Sequence, residues 1–185
     1  MTRARITLML LGLAALSGCG TVSSWFSSAS AQPTAPAAAP CPSTVILRPL
    51  SQTAVFAPGA ARQPTGVAFY GVLSDVDAKC EALGSAVHVS LDVVVIGERG
   101  PAGGKSDSVD LQYFVAMTGA DQAILSKRSF AVRIPIPVDA KRAGITDHIE
   151  ETIPLGGRAP GDLSIVLSFQ QNPEIVDFYR HFRGR

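Results

Sequence analysis

Three cysteines and three histidines are the side chains with the widest chemistry in this 185-residue chain, and their surroundings narrow what that chemistry is. His88, His148 and His181 stand in no H-E-x-x-H or comparable ligand spacing, so the sequence offers no metal centre. A cysteine nucleophile wants a base beside it, and nothing along the chain brings a histidine to Cys41 or Cys80. No G-x-S-x-G elbow is present, so a triad hydrolase has no local signature and would have to be assembled from distant residues. Gly100 to Ser106 reads GPAGGKS and invites comparison with a phosphate loop. That loop requires glycine, four residues, then Gly-Lys-Ser/Thr, and its first glycine falls on Arg99. An alternating strand also follows where a helix N-terminus should cradle phosphate. We read the segment as a hairpin loop that binds no nucleotide. Asp75 and Asp77 flank Val76, and Asp107 and Asp110 open a later strand. Carboxylates on loops hold calcium only where about six to eight oxygens converge, which these do not supply. Glu150-Glu151 beside His148 reads as a solvated turn rather than an acid–base pair. The expectation is a chain with no catalytic residue, no metal and no cofactor.

The elements that carry these residues alternate with period two from Cys41 onward. Val87, Val89, Leu91, Val93 and Val95 point one way, and His88, Ser90 and Asp92 the other. Val109, Leu111, Tyr113, Val115 and Met117 repeat the pattern, as do Phe130, Val132, Ile134, Ile136 and Val138. Leu163, Ile165, Leu167 and Phe169 alternate with Ser164, Ser168 and Gln170. Val67, Phe69, Gly71 and Leu73 make a weaker strand, and Thr44 to Leu47 begins a first one. Six or seven strands, with Gly/Pro/Asp turns and no crossover helices, predict an all-β fold: an antiparallel β-sandwich of immunoglobulin-like type. Pro135 and Pro137 both lack an N–H and face the same edge. Their strand is therefore expected at a sheet edge, or leaving the sheet near Ile134. Lys141 to Glu151 is expected as a helical turn or two.

The C-terminal helix has clearer signals. Asn172 caps, Pro173 suits the first helical position and Glu174 favours the helix N-terminus. Ile175, Phe178, Tyr179 and Phe182 then form one apolar stripe at i, i+3, i+4 and i+7. That stripe either packs on its own sandwich or meets a partner or membrane, and it is the candidate interaction surface.

Arg3 and Arg5 precede an apolar run of 11 residues, Ile6 to Leu16. The run suits a signal peptide and is too short for a membrane span of about 20 residues. It ends in Leu16-Ser17-Gly18-Cys19, which resembles the lipobox of bacterial lipoproteins. The resemblance implies cleavage before Cys19, a diacylglycerol thioether on its sulfur and an acyl chain such as palmitate on its amine. Two or more chains give stable anchoring. Gly20 stands where aspartate would retain a lipoprotein at the inner membrane, so the resemblance implies the outer membrane, facing the periplasm.

On this reading residues 1–18 are the signal peptide. Residues 19–40 are the lipidated cysteine and a Ser/Ala/Pro-rich tether, 41–171 the sandwich, and 172–185 the amphipathic helix and tail. A tether of 21 residues, 20–40, spans about 25 Å on average. Trp25 and Phe26 in it either rest in the membrane interface or do nothing. Sixteen Lys and Arg, less Arg3 and Arg5, face fifteen acids, a balance that gives no support for nucleic-acid binding. With Cys19 taken by lipid, an oxidising compartment makes a Cys41–Cys80 disulfide the default, with two free thiols the alternative. Closing a loop of about 40 residues contributes roughly 4 kcal/mol on the chain-entropy model.

Cys41-Pro42, Cys80, Arg99-Gly100-Pro101 and Tyr113-Phe114-Val115-Ala116 give residues 41–171 a similarity to a group of Gram-negative envelope lipoproteins with no assigned chemistry. The resemblance agrees with the sandwich and disulfide and adds no catalytic residue. The expected role is accessory or scaffolding, with an envelope protein as partner and the membrane engaged through Cys19. The alternative is a carrier of lipid or a small ligand in an envelope transport system, and a third reading is an envelope hydrolase.

Overall fold

A computed structural model describes residues 41–182. The signal peptide, Cys19, the tether and residues 183–185 lie outside the described residues. Eight strands follow the chain: β1 (Ser43–Ile46), β2 (Gln52–Phe56), β3 (Val67–Leu83), β4 (Ala86–Arg99), β5 (Ser108–Thr118), β6 (Ile124–Pro135), β7 (Arg142–Pro154) and β8 (Ser164–Phe169). One helix, α1 (Pro173–His181), ends the described chain. The strands form two four-stranded sheets, ordered β2-β3-β4-β7 and β1-β8-β5-β6. All pairings are antiparallel except β1 with β8, the first strand beside the last.

The fold is thus an all-β sandwich, as the alternation predicts, with a short C-terminal helix. Its core is the set of inward positions that the alternation marks. Val87, Val89, Leu91, Val93 and Val95 of β4 pack against Leu111 and Tyr113 of β5 and Ile165, Leu167 and Phe169 of β8. Each fully buried aliphatic side chain contributes about 1.5–3 kcal/mol, which makes this face the main stabilising element. Two glycines let the sheets close. A Cβ on Gly71 would stand 2.8 Å from Leu111 Cδ1, and one on Gly97 would stand 2.9 Å from Val109 Cγ1. The strand order is a finer matter than the sandwich: three consecutive strands, β2 to β4, stay in one sheet.

Some elements differ from the sequence expectation. Lys141–Glu151 is not a helical turn but most of β7, paired with β4 from Ala86↔Pro154 to Glu98↔Arg142. Ile145, Ile149 and Ile153 are four apart, a spacing that fits one strand face as well as a helix stripe. Polar Asp147 and Glu151 occupy the intervening inward positions and hide the alternation. Asp75 and Asp77 lie within β3 rather than on a loop, and Asp77 spends its carboxylate on Lys79 at 3.9 Å. β2 has no clear pattern in QTAVF and completes a count of eight strands rather than six or seven. β6 begins at Ile124, earlier than its alternation suggests, and stops at Pro135, leaving Val138 exposed. It does lie at a sheet edge, as Pro135 requires, and the strand ends before Pro137.

Cys41 and Cys80 form a disulfide with their Cα atoms 5.8 Å apart. It joins the chain two residues before β1, in one sheet, to β3 in the other.

Candidate functional site

α1 packs on its own sandwich. Asn172 Oδ1 accepts from the Ile175 N–H at 2.9 Å, capping the helix as its sequence predicts. Ile175 and Phe178 are buried against Ala54 of β2 and Val67 of β3. Phe178 meets Phe56 edge-on at 5.2 Å, and Arg62 lies over the Phe56 ring while donating to Glu174 at 2.9 Å. The apolar stripe is therefore divided. Ile175 and Phe178 hold the helix down, Tyr179 is half-buried, and only Phe182, at 42% exposure, faces outward.

Beside this helix runs a groove of about 750 Å³. Its apolar walls include Leu50, Val72, Val176, Phe178 and Phe182, with Tyr70 and Tyr179 among them. Arg48, Arg180, Gln52, Gln171 and Glu98 supply polar groups. Lys141 lies 3.5 Å from Glu98. Arg48 and Arg180 have no carboxylate partner within 4.0 Å among the described residues. The Tyr70 hydroxyl is buried without a hydrogen-bond partner among the described residues, which in an apolar setting costs about 1–3 kcal/mol. Burial, with Tyr70 beside it, pushes the Tyr179 hydroxyl well above the ordinary tyrosine range, so it stays neutral. Chemically, this is an aromatic trough with two available guanidinium groups and a hydroxyl that lacks an acceptor. Sequence reasoning marked Phe178, Tyr179 and Phe182 but missed Arg48 and Tyr70. No local motif links those two to a helix more than 100 residues away.

The space between the sheets is smaller. A pocket of about 170 Å³ is lined by Val89, Leu91, Val115, Met117, Ile153 and Ile165, with the Arg128–Glu151 ion pair on its β6–β7 side. Small-molecule sites usually need about 300–1,000 Å³, a capacity the groove has and this pocket lacks. Nearby, the buried Tyr113 hydroxyl donates to Asp147 Oδ2 at 2.6 Å, tying β5 to β7 across the sandwich. Burial, then this hydrogen bond, raises the Tyr113 hydroxyl far above the ordinary range, and the group serves as a donor.

Each of the three histidines has a polar partner in the sandwich or the helix. His148 lies on the outer face of β7. Its Nδ1 meets Asp92 Oδ1 at 2.8 Å and its Nε2 meets Glu150 Oε1 at 3.5 Å. The Asp92 hydrogen bond, then that of Glu150, raises its pKa and favours the imidazolium. His88 bonds Thr152 at 3.2 Å, and His181 bonds the Asp177 carbonyl at 2.9 Å. Among the described residues, no cluster of three or more His, Cys, Asp or Glu has metal-binding geometry.

Arg99, the residue that breaks the phosphate-loop spacing, organises the loop instead. Its guanidinium donates to the carbonyls of Gly104 (3.3 Å), Ile136 (3.0 Å) and Pro137 (3.1 Å), with Ser106 and Ala140 further acceptors. It also lies over the Phe69 ring at 5.3 Å. The GPAGGKS segment connects β4 to β5, which lie in different sheets, so it is an inter-sheet loop rather than a hairpin.

No protein-family model matches the chain, and neither a curated protein nor a solved structure matches it.

Proposed function

We propose that this chain is an accessory lipoprotein of the cell envelope. In this reading it is anchored through lipid on Cys19 in the outer membrane, faces the periplasm, and recruits a protein partner without catalysing a reaction. The sandwich is an immunoglobulin-like scaffold, and the groove beside α1 is its contact surface. The observation that carries the reading is the pairing, in one trough, of aromatic walls with Arg48 and Arg180, which have no carboxylate partner among the described residues. Such a trough fits a partner segment that inserts an apolar side chain flanked by a carboxylate. The test places a photo-reactive residue at Phe182 of the full chain in living cells. One discrete adduct, lost on Arg48→Glu/Arg180→Glu, supports the reading. An adduct pattern unchanged by the charge reversal overturns it.

The carrier reading keeps one specific support, the partnerless Tyr70 hydroxyl in a groove of small-ligand size. Native mass spectrometry of the purified protein distinguishes the two. A lipid-sized adduct that Tyr179→Trp displaces favours the carrier, and a bare mass favours the scaffold.

A further inference from the structure

We infer that the end of the sandwich where the chain enters rests on a bilayer surface, with Leu83, Ile124 and Leu125 against lipid. The inference rests on the lipidation of Cys19 proposed above.

The register fixes which residues share that end. In one sheet, Ser43 pairs Ser164, Ser164 pairs Thr118, and Thr118 pairs Ile124, a single row across all four strands. Ser43 stands two residues after Cys41, so the chain arrives at this row, and the β5–β6 turn projects from it. In the other sheet, the disulfide holds Cys80 to Cys41, and the β3–β4 turn lies just beyond, closing with Leu83↔Ala86. Met117 and Ser126 line the same inter-sheet pocket as Val89 and Pro154, which places the two turns at a common end.

These turns are built unlike ordinary solvated ones. Residues 82–87 (ALGSAV) carry no charge, and residues 118–126 (TGADQAILS) carry one. That charge, Asp121, is exposed and accepts from the Ala123 N–H of its own turn at 3.1 Å. Ile124 is 65% exposed, Leu83 49% and Leu125 41%, the first two among the most exposed large apolar side chains of the described residues. Polar turns are the norm, because loop tips face water. Three apolar side chains on two nearly uncharged tips instead suit a partner without hydrogen-bonding demands, the acyl–headgroup boundary.

The chain outside the structure selects that partner. Twenty-one residues separate Cys19 from Cys41, a length that spans about 25 Å on average. A domain held that close to a surface by its own N-terminus meets it at high effective concentration, so contacts too weak to bind free protein become populated. The groove lies toward the other end, where Arg48, Tyr70 and Glu98 sit near the far ends of β3 and β4. Lipid contact at the entry end therefore leaves it open to the periplasm.

The test uses the full lipidated chain on vesicles of phosphatidylethanolamine and phosphatidylglycerol, with the lipid on Cys19 verified by mass. Amide hydrogen exchange is compared with that of the soluble Cys19→Ser protein. Exchange in 82–87 and 118–126 is expected to slow about fivefold or more on vesicles, while 100–106 is unchanged. The Ile124→Glu/Leu125→Glu variant, altered only at exposed positions, is expected to return both tips to the soluble rate. Equal tip rates in a verified lipidated protein overturn the orientation alone, and a Cys19 without lipid overturns it together with the anchor. Protection that vanishes when the protein is diluted in lipid assigns the patch to a second copy of the chain and also overturns the proposal.

Discussion

The two ends of the sandwich use the same sheets and are closed by different chemistry. At the entry end a covalent bond, Cys41–Cys80, ties the sheets together; the β3–β4 and β5–β6 turns are short and carry one charge between them, and the longer β7–β8 connection, 155–163, adds Arg158 and Asp162. At the opposite end no disulfide is present. One guanidinium gathers the carbonyls of two connecting segments, Lys105, Asp107, Asp139 and Lys141 crowd the neighbouring loops, and a helix with an arginine-flanked groove lies alongside. The difference shows how a sandwich separates two tasks. The end that is stapled needs few polar contacts for its stability and is free to carry apolar turns. The end held by hydrogen bonds is polar by construction, and it is there that groups able to recognise a charged partner are found.

Substitutions sharpen this division, beginning with the largest effect. Cys41→Ala/Cys80→Ala removes about 4 kcal/mol of restraint on the unfolded chain. It should lower the thermal midpoint on the order of 10 °C, read by calorimetry. Arg99→Met should cost about 2 kcal/mol by leaving carbonyls without their charged donor. Hydrogen exchange should then quicken in 100–106 and 136–140 and stay unchanged near Cys80. Spread of the effect to the entry end would break the comparison. Tyr113→Phe acts midway between the ends. It strips Asp147 of its donor and should cost about 1 kcal/mol, seen as a lower urea midpoint at constant slope. Asp92→Asn is the mildest change. His148 titrates above its ordinary value in the wild type, so its small contribution is complete at pH below about 6.5 and fades as pH rises through the folded-state value. The variant should move the His148 midpoint down toward about 6.5, followed by NMR, with no loss of fold.

What was legible in the sequence is the part governed by local periodicity. β4, β5 and β8 announce their inner faces because every inward residue is apolar, and α1 announces its cap, first turn and stripe. β7 was illegible because two of its inward positions hold Asp147 and Glu151, whose partners Tyr113 and Arg128 belong to other strands. The groove was half legible. Its helix wall follows from the spacing of Phe178, Tyr179 and Phe182, whereas Arg48 and Tyr70 reach it only through the β2–β3 pairing and the packing of α1. The proline signal in β6 succeeded because a missing N–H constrains sheet position wherever the strand lies.

The position of the disulfide also decides how the domain would bear a load. A force applied through the tether enters at Cys41 and has two routes into the fold. One runs along β1, four residues held beside β8 by a short parallel ladder that tension could unzip from its start. The other crosses directly to Cys80, three residues from the end of a 17-residue strand paired with β4. The covalent route is the stiffer, so tension bypasses β1 and is shared with the β2-β3-β4-β7 sheet. A chain anchored through its first residues, as proposed above, would thereby be braced where it is pulled.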